Sequence, residues 1–174
     1  ANRLHSQLDF SVVSKWNKVS GREVTTMNQK DAADRGIKNG DLIRIFNHRG
    51  ACLSAARLSK DIRQGVIQLP TGAWYDPSHD ANGKALESHG NPNVLTRDQG
   101  TSELAQGTTA HSCLVEVEKY LTSPPPVRAF LPPKIDEKNE RVFFITFDSP
   151  LDNLHEHSSK RLLLFLSKTS GFSQ

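Results

Sequence analysis

Apolar and polar positions alternate most regularly between residues 25 and 69. Asn28 is a helix-capping residue type ahead of Lys30-Asp31-Ala32-Ala33, and Gly36 can take the left-handed conformation that ends a helix, so a helix of about two turns is predicted there. Asn39-Gly40-Asp41 then turns into Leu42-Ile43-Arg44-Ile45-Phe46, whose pattern suits a strand with both faces partly covered. Asn47-His48-Arg49-Gly50 reads as a tight hairpin connection, with Gly50 free to take positive φ, and Ala51 to Leu58 as the returning strand. After a turn at Lys60 to Gly65, Val66-Ile67-Gln68-Leu69 gives a third short strand that stops at Pro70.

From Thr71 to Gly100 the apolar periodicity disappears and Gly, Pro, Asn, Asp and His dominate, which marks a long loop of the functional or disordered kind. Ser102 to Gly107 predicts one helical turn capped by Ser102, and Cys113-Leu114-Val115-Glu116-Val117-Glu118 a final strand. Short strands joined by long polar excursions point to a small closed β unit, a barrel whose ends the excursions cross. Thr122-Ser123-Pro124-Pro125-Pro126 and then Pro132-Pro133 break the pattern, and the first domain is expected to finish here. Beyond it, the runs Val142 to Phe147 and Leu162 to Leu166 are able to pair as strands or to add a helix, and they carry no recognisable chemistry.

Composition narrows the function classes without choosing one. An apolar fraction of 36% and a charged fraction of 24% are ordinary for a globular protein, and no apolar run is long enough to cross a bilayer as a helix. The net charge of +3 is scattered along the chain, so nothing points to a nucleic-acid surface. Two cysteines, Cys52 and Cys113, are too few for a disulfide framework and are expected to be buried free thiols. The chain opens at Ala1 with neither an initiator Met nor a charged-then-apolar leader, and so reads as the continuation of something longer.

Three clusters share a chemical character: Arg3-Leu4-His5-Ser6-Gln7; Gly72-Ala73-Trp74-Tyr75-Asp76-Pro77; and Asn91-Pro92-Asn93-Val94-Leu95-Thr96, which leads to Gly107-Thr108-Thr109-Ala110-His111. Each is rich in hydrogen-bonding or flat side chains in a non-periodic setting, which suits a large polar heterocyclic ligand with phosphates. Loops whose polar groups satisfy one another would look the same at this level. Trp74 and Tyr75 are expected to pack the mouth of the barrel, and Asp98 and Glu103 to be solvated or capping carboxylates. His155-Glu156-His157 lacks the one-face helical spacing of a zinc motif and reads as surface.

Taken in order, with Asp31-Ala32-Ala33-Asp34-Arg35-Gly36-Ile37 and Phe46-Asn47-His48-Arg49-Gly50 between them, these clusters resemble the dimethyl sulfoxide reductase family of molybdoenzymes. The resemblance is to the C-terminal, molybdopterin-dinucleotide-binding domain, in the trimethylamine N-oxide and biotin sulfoxide reductase branch, and covers nearly all of residues 1 to about 133. It implies a mainly β fold with short helices, a six-stranded double-psi β-barrel over residues 1–133; residues 134–174 find no counterpart in it and read as a C-terminal extension of unknown role. It implies a bis(molybdopterin guanine dinucleotide) cofactor with molybdenum, held mainly by preceding domains. The cofactor-binding positions carried over are Arg3, His5, Ser6, Gln7, Asn93, Ala110 and His111. Arg3 can fork onto a phosphate or pterin oxygen, and Asn93 can present donor and acceptor together to a pterin edge. At His111 an imidazole stands where some relatives carry an amide.

In this family an S-oxide or N-oxide is reduced at molybdenum, which is held by two dithiolenes and a serine of an earlier domain. The resemblance therefore implies no catalytic residue and no metal ligand in this chain, which is expected to be inactive alone. The implied partners are the preceding catalytic domains and an electron-donor protein, with no nucleic acid and no membrane insertion. The implied location is the periplasm, with the cytoplasm as the alternative. A free-standing barrel acting as a non-catalytic ligand-binding or interaction module is the competing reading, and a self-contained barrel enzyme is a third.

Overall fold

The computed structural model describes residues 6–97, 99–104, 107, 113–131, 134–139 and 142–146. The chain divides into two compact units, Ala1–Phe130 and Leu131–Gln174. In the first, the Ser11 hydroxyl accepts from the N–H of Ser14 at 3.2 Å and starts the short helix α1 (Val12–Trp16). Strand β1 (Val24–Asn28) runs directly into α2 (Gln29–Asp34), because the Asn28 side chain turns to accept from the N–H of Lys30 at 2.9 Å. Gly36, at φ 62°, ends that helix as the sequence predicts.

Strands β2 (Leu42–Phe46) and β3 (Ala51–Ser59) form the expected antiparallel hairpin, registered from Leu42 opposite Ala55 to Phe46 opposite Ala51. The turn between them is built by Asn47, whose N–H donates to the carbonyl of Gly50 while its side-chain oxygen accepts from Arg49 at 2.9 Å. Gly50 does not have a positive φ; glycine is required there because a Cβ would lie 2.7 Å from the carbonyl oxygen of Val94.

Around β3 the remaining strands assemble. On one edge lies β2, and on the other β1 pairs parallel over Ala55 to Ser59. Further strands are β4 (Ile67–Gln68) against β1, β5 (Pro77–His79) and β6 (Ala85–Glu87) against each other, and β7 (Glu116–Lys119) against β2. Because β6 also pairs with β3 at Cys52, the order is β4-β1-β3-β2-β7 with β6 and β5 branching from β3, a curled sheet of seven strands. The unit is mainly β with few short helices, as expected of a molybdopterin-dinucleotide-binding barrel domain.

Both faces of the sheet are covered, which explains the near-continuous apolar pattern of β2 and β3. Ile43, Ile45, Cys52 and Ala56 join Met27, Ala32, Ile37 and Leu95 in one core cluster, while Ala51 and Leu53 pack with Leu86 in another. Three expectations need correction. Cys52 is buried, but Cys113 is exposed and precedes β7, which begins only at Glu116. Residues 101–104 are bends and not a helical turn, since the N–H of Thr101 reaches across to the carbonyl of Gly107 at 2.9 Å. The long loop after Thr71 contains β5 and β6.

In the second unit, β8 (Lys134–Asn139) and β9 (Val142–Thr146) pair antiparallel, with a register shift between Glu137 and Asn139. Asp98, Phe147, the run from Leu162 to Leu166 and the His155-Glu156-His157 cluster lie outside the described residues.

Candidate functional site

The third sequence cluster folds into a single 3-10 turn over Pro92–Val94. Asn91 caps it, its side-chain oxygen accepting from the N–H of Asn93 at 2.9 Å, and Pro92 occupies a position where no N–H is needed. From below, the β2–β3 hairpin holds the turn: the Asn47 amide donates to the carbonyl of Leu95 at 2.9 Å, and Gly50 packs against Val94. Val94 and Leu95 are rooted in the main core cluster. Asn93 itself is exposed, and its carboxamide has no partner among the described residues.

Upstream, the buried carboxylate of Glu87 organises the approach to that turn. Its Oε1 accepts from the N–H groups of Asp76 at 3.2 Å and His89 at 3.0 Å, and its Oε2 from those of Gly90 and Asn91, both at 2.7 Å. Burial pushes this carboxyl up, to about 7, against the downward pull of the four donors. Gly90 has φ 99°, and a Cβ there would sit 2.6 Å from that of Glu23, so the turn admits no side chain.

The first cluster reaches the same region from the chain's other end. Ser6 and Gln7 are exposed, and the Ser6 carbonyl accepts from the indole N–H of Trp74 at 2.8 Å. Beneath them Asp9 is fully buried. It accepts from the Trp74 N–H at 2.8 Å and from the Ser14 hydroxyl at 3.0 Å, and pairs with the ammonium of Lys18 at 2.9 Å. Lys18, itself buried, also bonds the Glu23 carboxylate. Burial works to raise the Asp9 carboxyl, but the hydrogen bonds from Lys18 and the Trp74 N–H, with the charge on Lys18, hold it below its usual range.

His89 closes the network from the far side, with Nδ1 2.8 Å from the carbonyl of Trp74. A carbonyl only accepts, so Nδ1 carries the proton, a tautomer assigned from this bond. Burial and the nearby Lys18 charge lower the His89 pKa, and the neutral ring leaves a buried Nε2 with no partner among the described residues. Phe130 packs edge-on to His89 at 5.0 Å and to Trp74 at 5.3 Å, while Phe10 stacks on Trp74 at 6.2 Å. Trp74 and Tyr75 are 37% and 54% exposed, so they rim this surface and are not sealed within it.

Of the seven expected contact positions, Ser6, Gln7 and Asn93 are described, whereas Arg3, His5, Ala110 and His111 lie outside the described residues. The peptide joining Ala73 to Trp74 links Asn91 of the third cluster to Asp9, and the Trp74 indole reaches Ser6 of the first. Its carbonyl accepts from the Asn91 side chain at 2.8 Å, and its N–H donates to Asp9. Ser6, Gln7 and Asn93 thus offer neutral groups, each able to donate and accept, which fit the alternating donor and acceptor edges of a pterin or purine. Glu87, Asp9 and His89 were not marked out by the sequence, and Asn91 and Asn47 were marked only as members of a polar cluster and a turn. Glu87 and Asp9 gave no signal, because the main-chain and distant partners that satisfy them are invisible in one dimension.

The sequence matches the family model described as "Molydopterin dinucleotide binding domain" over residues 1–114. It is 48% identical over 129 residues to trimethylamine-N-oxide reductase of Salmonella typhi, covering 74% of this chain and 15% of that protein. It is 50% identical over 119 residues to trimethylamine-N-oxide reductase 1 of Escherichia coli strain K12, covering 68% of this chain and 14% of that protein. With the dimethyl sulfoxide/trimethylamine N-oxide reductase of Rhodobacter capsulatus it shares 43% identity over 136 residues, covering 78% of this chain and 16% of that protein. The chain therefore spans about 15% of the length of such relatives. It belongs to the molybdopterin dinucleotide binding domains of the dimethyl sulfoxide reductase family, whose complete enzymes carry a molybdenum-bearing molybdopterin cofactor.

Proposed function

We propose that this chain is the C-terminal cofactor-binding domain of a molybdenum-dependent S- or N-oxide reductase of the trimethylamine N-oxide or biotin sulfoxide type. It closes, as a double-psi barrel, over one side of a bis(molybdopterin guanine dinucleotide). Arg3, His5, Ser6, Gln7, Asn93, Ala110 and His111 are its contacts. The cofactor supplies two-electron oxygen-atom chemistry at molybdenum when bound; the residues of this domain bind and orient it. Ser6 and Gln7 offer a hydroxyl and a carboxamide from one turn, and Asn93 presents a carboxamide from a turn locked by Asn91, Asn47 and Glu87. The observation that carries the reading is the Ala73–Trp74 pair: the Ala73 carbonyl accepts from Asn91 and the Trp74 indole N–H donates to the Ser6 carbonyl, which ties two distant polar clusters to one strap.

The catalytic domains of the same polypeptide are the first partners in this reading, and an electron-donor protein is the second. The enzyme is periplasmic in this reading, with the cytoplasm as the alternative. The test is an assay with a reduced viologen dye and either trimethylamine N-oxide or biotin sulfoxide. The complete polypeptide carrying this domain is expected to turn over at least one of them, and the isolated chain neither. Turnover by the isolated chain above a metal-free background, or an inactive complete polypeptide, contradicts the proposal.

A further inference from the structure

Glu87 is an expensive residue for a barrel interior. It is 2% exposed, and among the described residues no cation forms an ion pair with it. An apolar side chain of similar volume would cost less to bury. What the carboxylate does instead is collect main-chain donors. Two acceptor oxygens take four N–H groups, three of them from the consecutive residues His89, Gly90 and Asn91. Three successive amides converging on one anion fix the direction of the chain as it leaves β6. Gly90 supports the same geometry, because its positive φ and its approach to Glu23 leave no room for a Cβ.

The consequence reaches Asn93 through short bonds. The Asn91 N–H is held by Glu87 at 2.7 Å, and the Asn91 side chain in turn accepts from the Asn93 N–H at 2.9 Å and donates to Ala73 at 2.8 Å. We infer that Glu87 is a positioning residue for cofactor binding: its carboxylate sets the 88–91 turn so that Asn91 aims the Asn93 carboxamide at the cofactor. This rests on the reading of Asn93 as a cofactor contact. Glu87 touches no cofactor atom in this scheme and acts only through Asn91 and Asn93.

The experiment is a double-mutant cycle on the rate of cofactor release from the loaded enzyme, followed by fluorescence of the freed pterin. The variants are Glu87→Gln, Asn93→Ala and the pair combined. Removal of a residue that orients a direct contact typically weakens retention by roughly ten- to a hundredfold. Glu87→Gln and Asn93→Ala are each expected to speed release by about tenfold or more, and the double variant to release no faster than Asn93→Ala alone. Additive effects would mean that Glu87 acts by general stability, and would overturn the inference. If Asn93→Ala accelerates release and Glu87→Gln does not, the positioning role fails while the cofactor reading stands. If Asn93→Ala leaves release unchanged, the cofactor reading of Asn93 fails and takes this inference with it.

Should Glu87→Gln not fold, Asn91→Ala replaces it in the same cycle. That variant leaves the carboxylate and its main-chain donors in place and removes the side-chain bonds to Asn93 and to the Ala73 carbonyl. A second readout uses the isolated chain: the amide protons of Gly90 and Asn91, donated to an anion over a short distance, should resonate far downfield and exchange slowly. Ordinary shifts and fast exchange at both positions would equally overturn the inference.

Discussion

The indole N–H of Trp74 donates to the main-chain carbonyl of Ser6 across 2.8 Å, tying the start of the described chain to a residue 68 positions later. This bond holds the Ser6–Gln7 turn against Trp74. Trp74→Phe keeps a ring against Phe10 and deletes the donor. Because the bond is exposed, the loss of stability should be small, about 0.5 kcal/mol. The sensitive readout is local: amide exchange at Gln7 and Leu8 should accelerate while exchange in β3 is unchanged. Unchanged exchange at those two positions would show that the bond does not hold the turn.

Lys18 carries a heavier structural role. Its side chain is 2% exposed and lies between the carboxylates of Asp9 and Glu23. Lys18→Met keeps most of the volume and leaves two buried acids without that cation. Urea unfolding should give a loss of about 3 to 5 kcal/mol. A loss below about 1 kcal/mol, the range of an exposed pair, would mean that water reaches this network.

Glu87 gives the stability of the domain a pH dependence whose sign is fixed by burial. Its folded pKa of about 7 lies above the unfolded value of 4.5, so the folded state holds the proton more tightly over that interval. Its contribution is complete below about pH 4.5 and is lost as the pH rises through about 7. His89, shifted downward, contributes the opposite slope below its ordinary value, and Asp9, also lowered, loses its contribution only as the pH falls through the acid range. The informative quantity is therefore wild type minus Glu87→Gln. That difference in unfolding free energy should move against wild type by up to a few kcal/mol between pH 4.5 and 7.5. A flat difference would contradict the shift.

Gly50 is a test of the hairpin's hold on the 3-10 turn. Gly50→Ala would set a Cβ 2.7 Å from the Val94 carbonyl, so either the hairpin or the turn carrying Asn93 must move. A melting temperature lowered by the equivalent of about 1 to 3 kcal/mol is expected, as for overpacking elsewhere. Gly65→Ala makes a useful contrast: its Cβ would meet nothing within 4 Å, so its cost comes only from a φ of 74°.

The parts of the fold legible in the sequence were those whose polar groups have local partners. Asn28 capping α2, Gly36 ending it and the β2–β3 hairpin around Asn47 are all satisfied within a few residues. Strand β1 was not legible, because Val24-Thr25-Thr26-Met27-Asn28 reads as weakly apolar. Thr25 is nonetheless fully buried, its hydroxyl paired with that of Ser54 at 2.6 Å. Strands β5 and β6 were hidden in the same way, being three residues each and carrying the buried Glu87. At the proposed site, Ser6, Gln7 and Asn93 were singled out through family resemblance. Of the residues around them, Asp9 and His89 required long-range hydrogen bonds to be seen, whereas Glu87 and Asn91 were hidden because their nearby partners are main-chain N–H groups that leave no mark in a sequence.

In the proposed function this domain grips a molybdopterin dinucleotide through the Asn93 turn and the N-terminal segment. That grip is tested most directly by counting molybdenum and guanine nucleotide per polypeptide in the complete enzyme, purified from a cofactor-producing host as wild type, Asn93→Ala and Lys60→Ala. Lys60 is exposed and remote from the network in sequence and bonding, so its variant should keep the wild-type content. Asn93→Ala should lose most of the cofactor, in line with a roughly ten- to a hundredfold weaker hold. Full molybdenum and guanine content in Asn93→Ala, or a wild-type enzyme that purifies with no molybdopterin, would contradict the account.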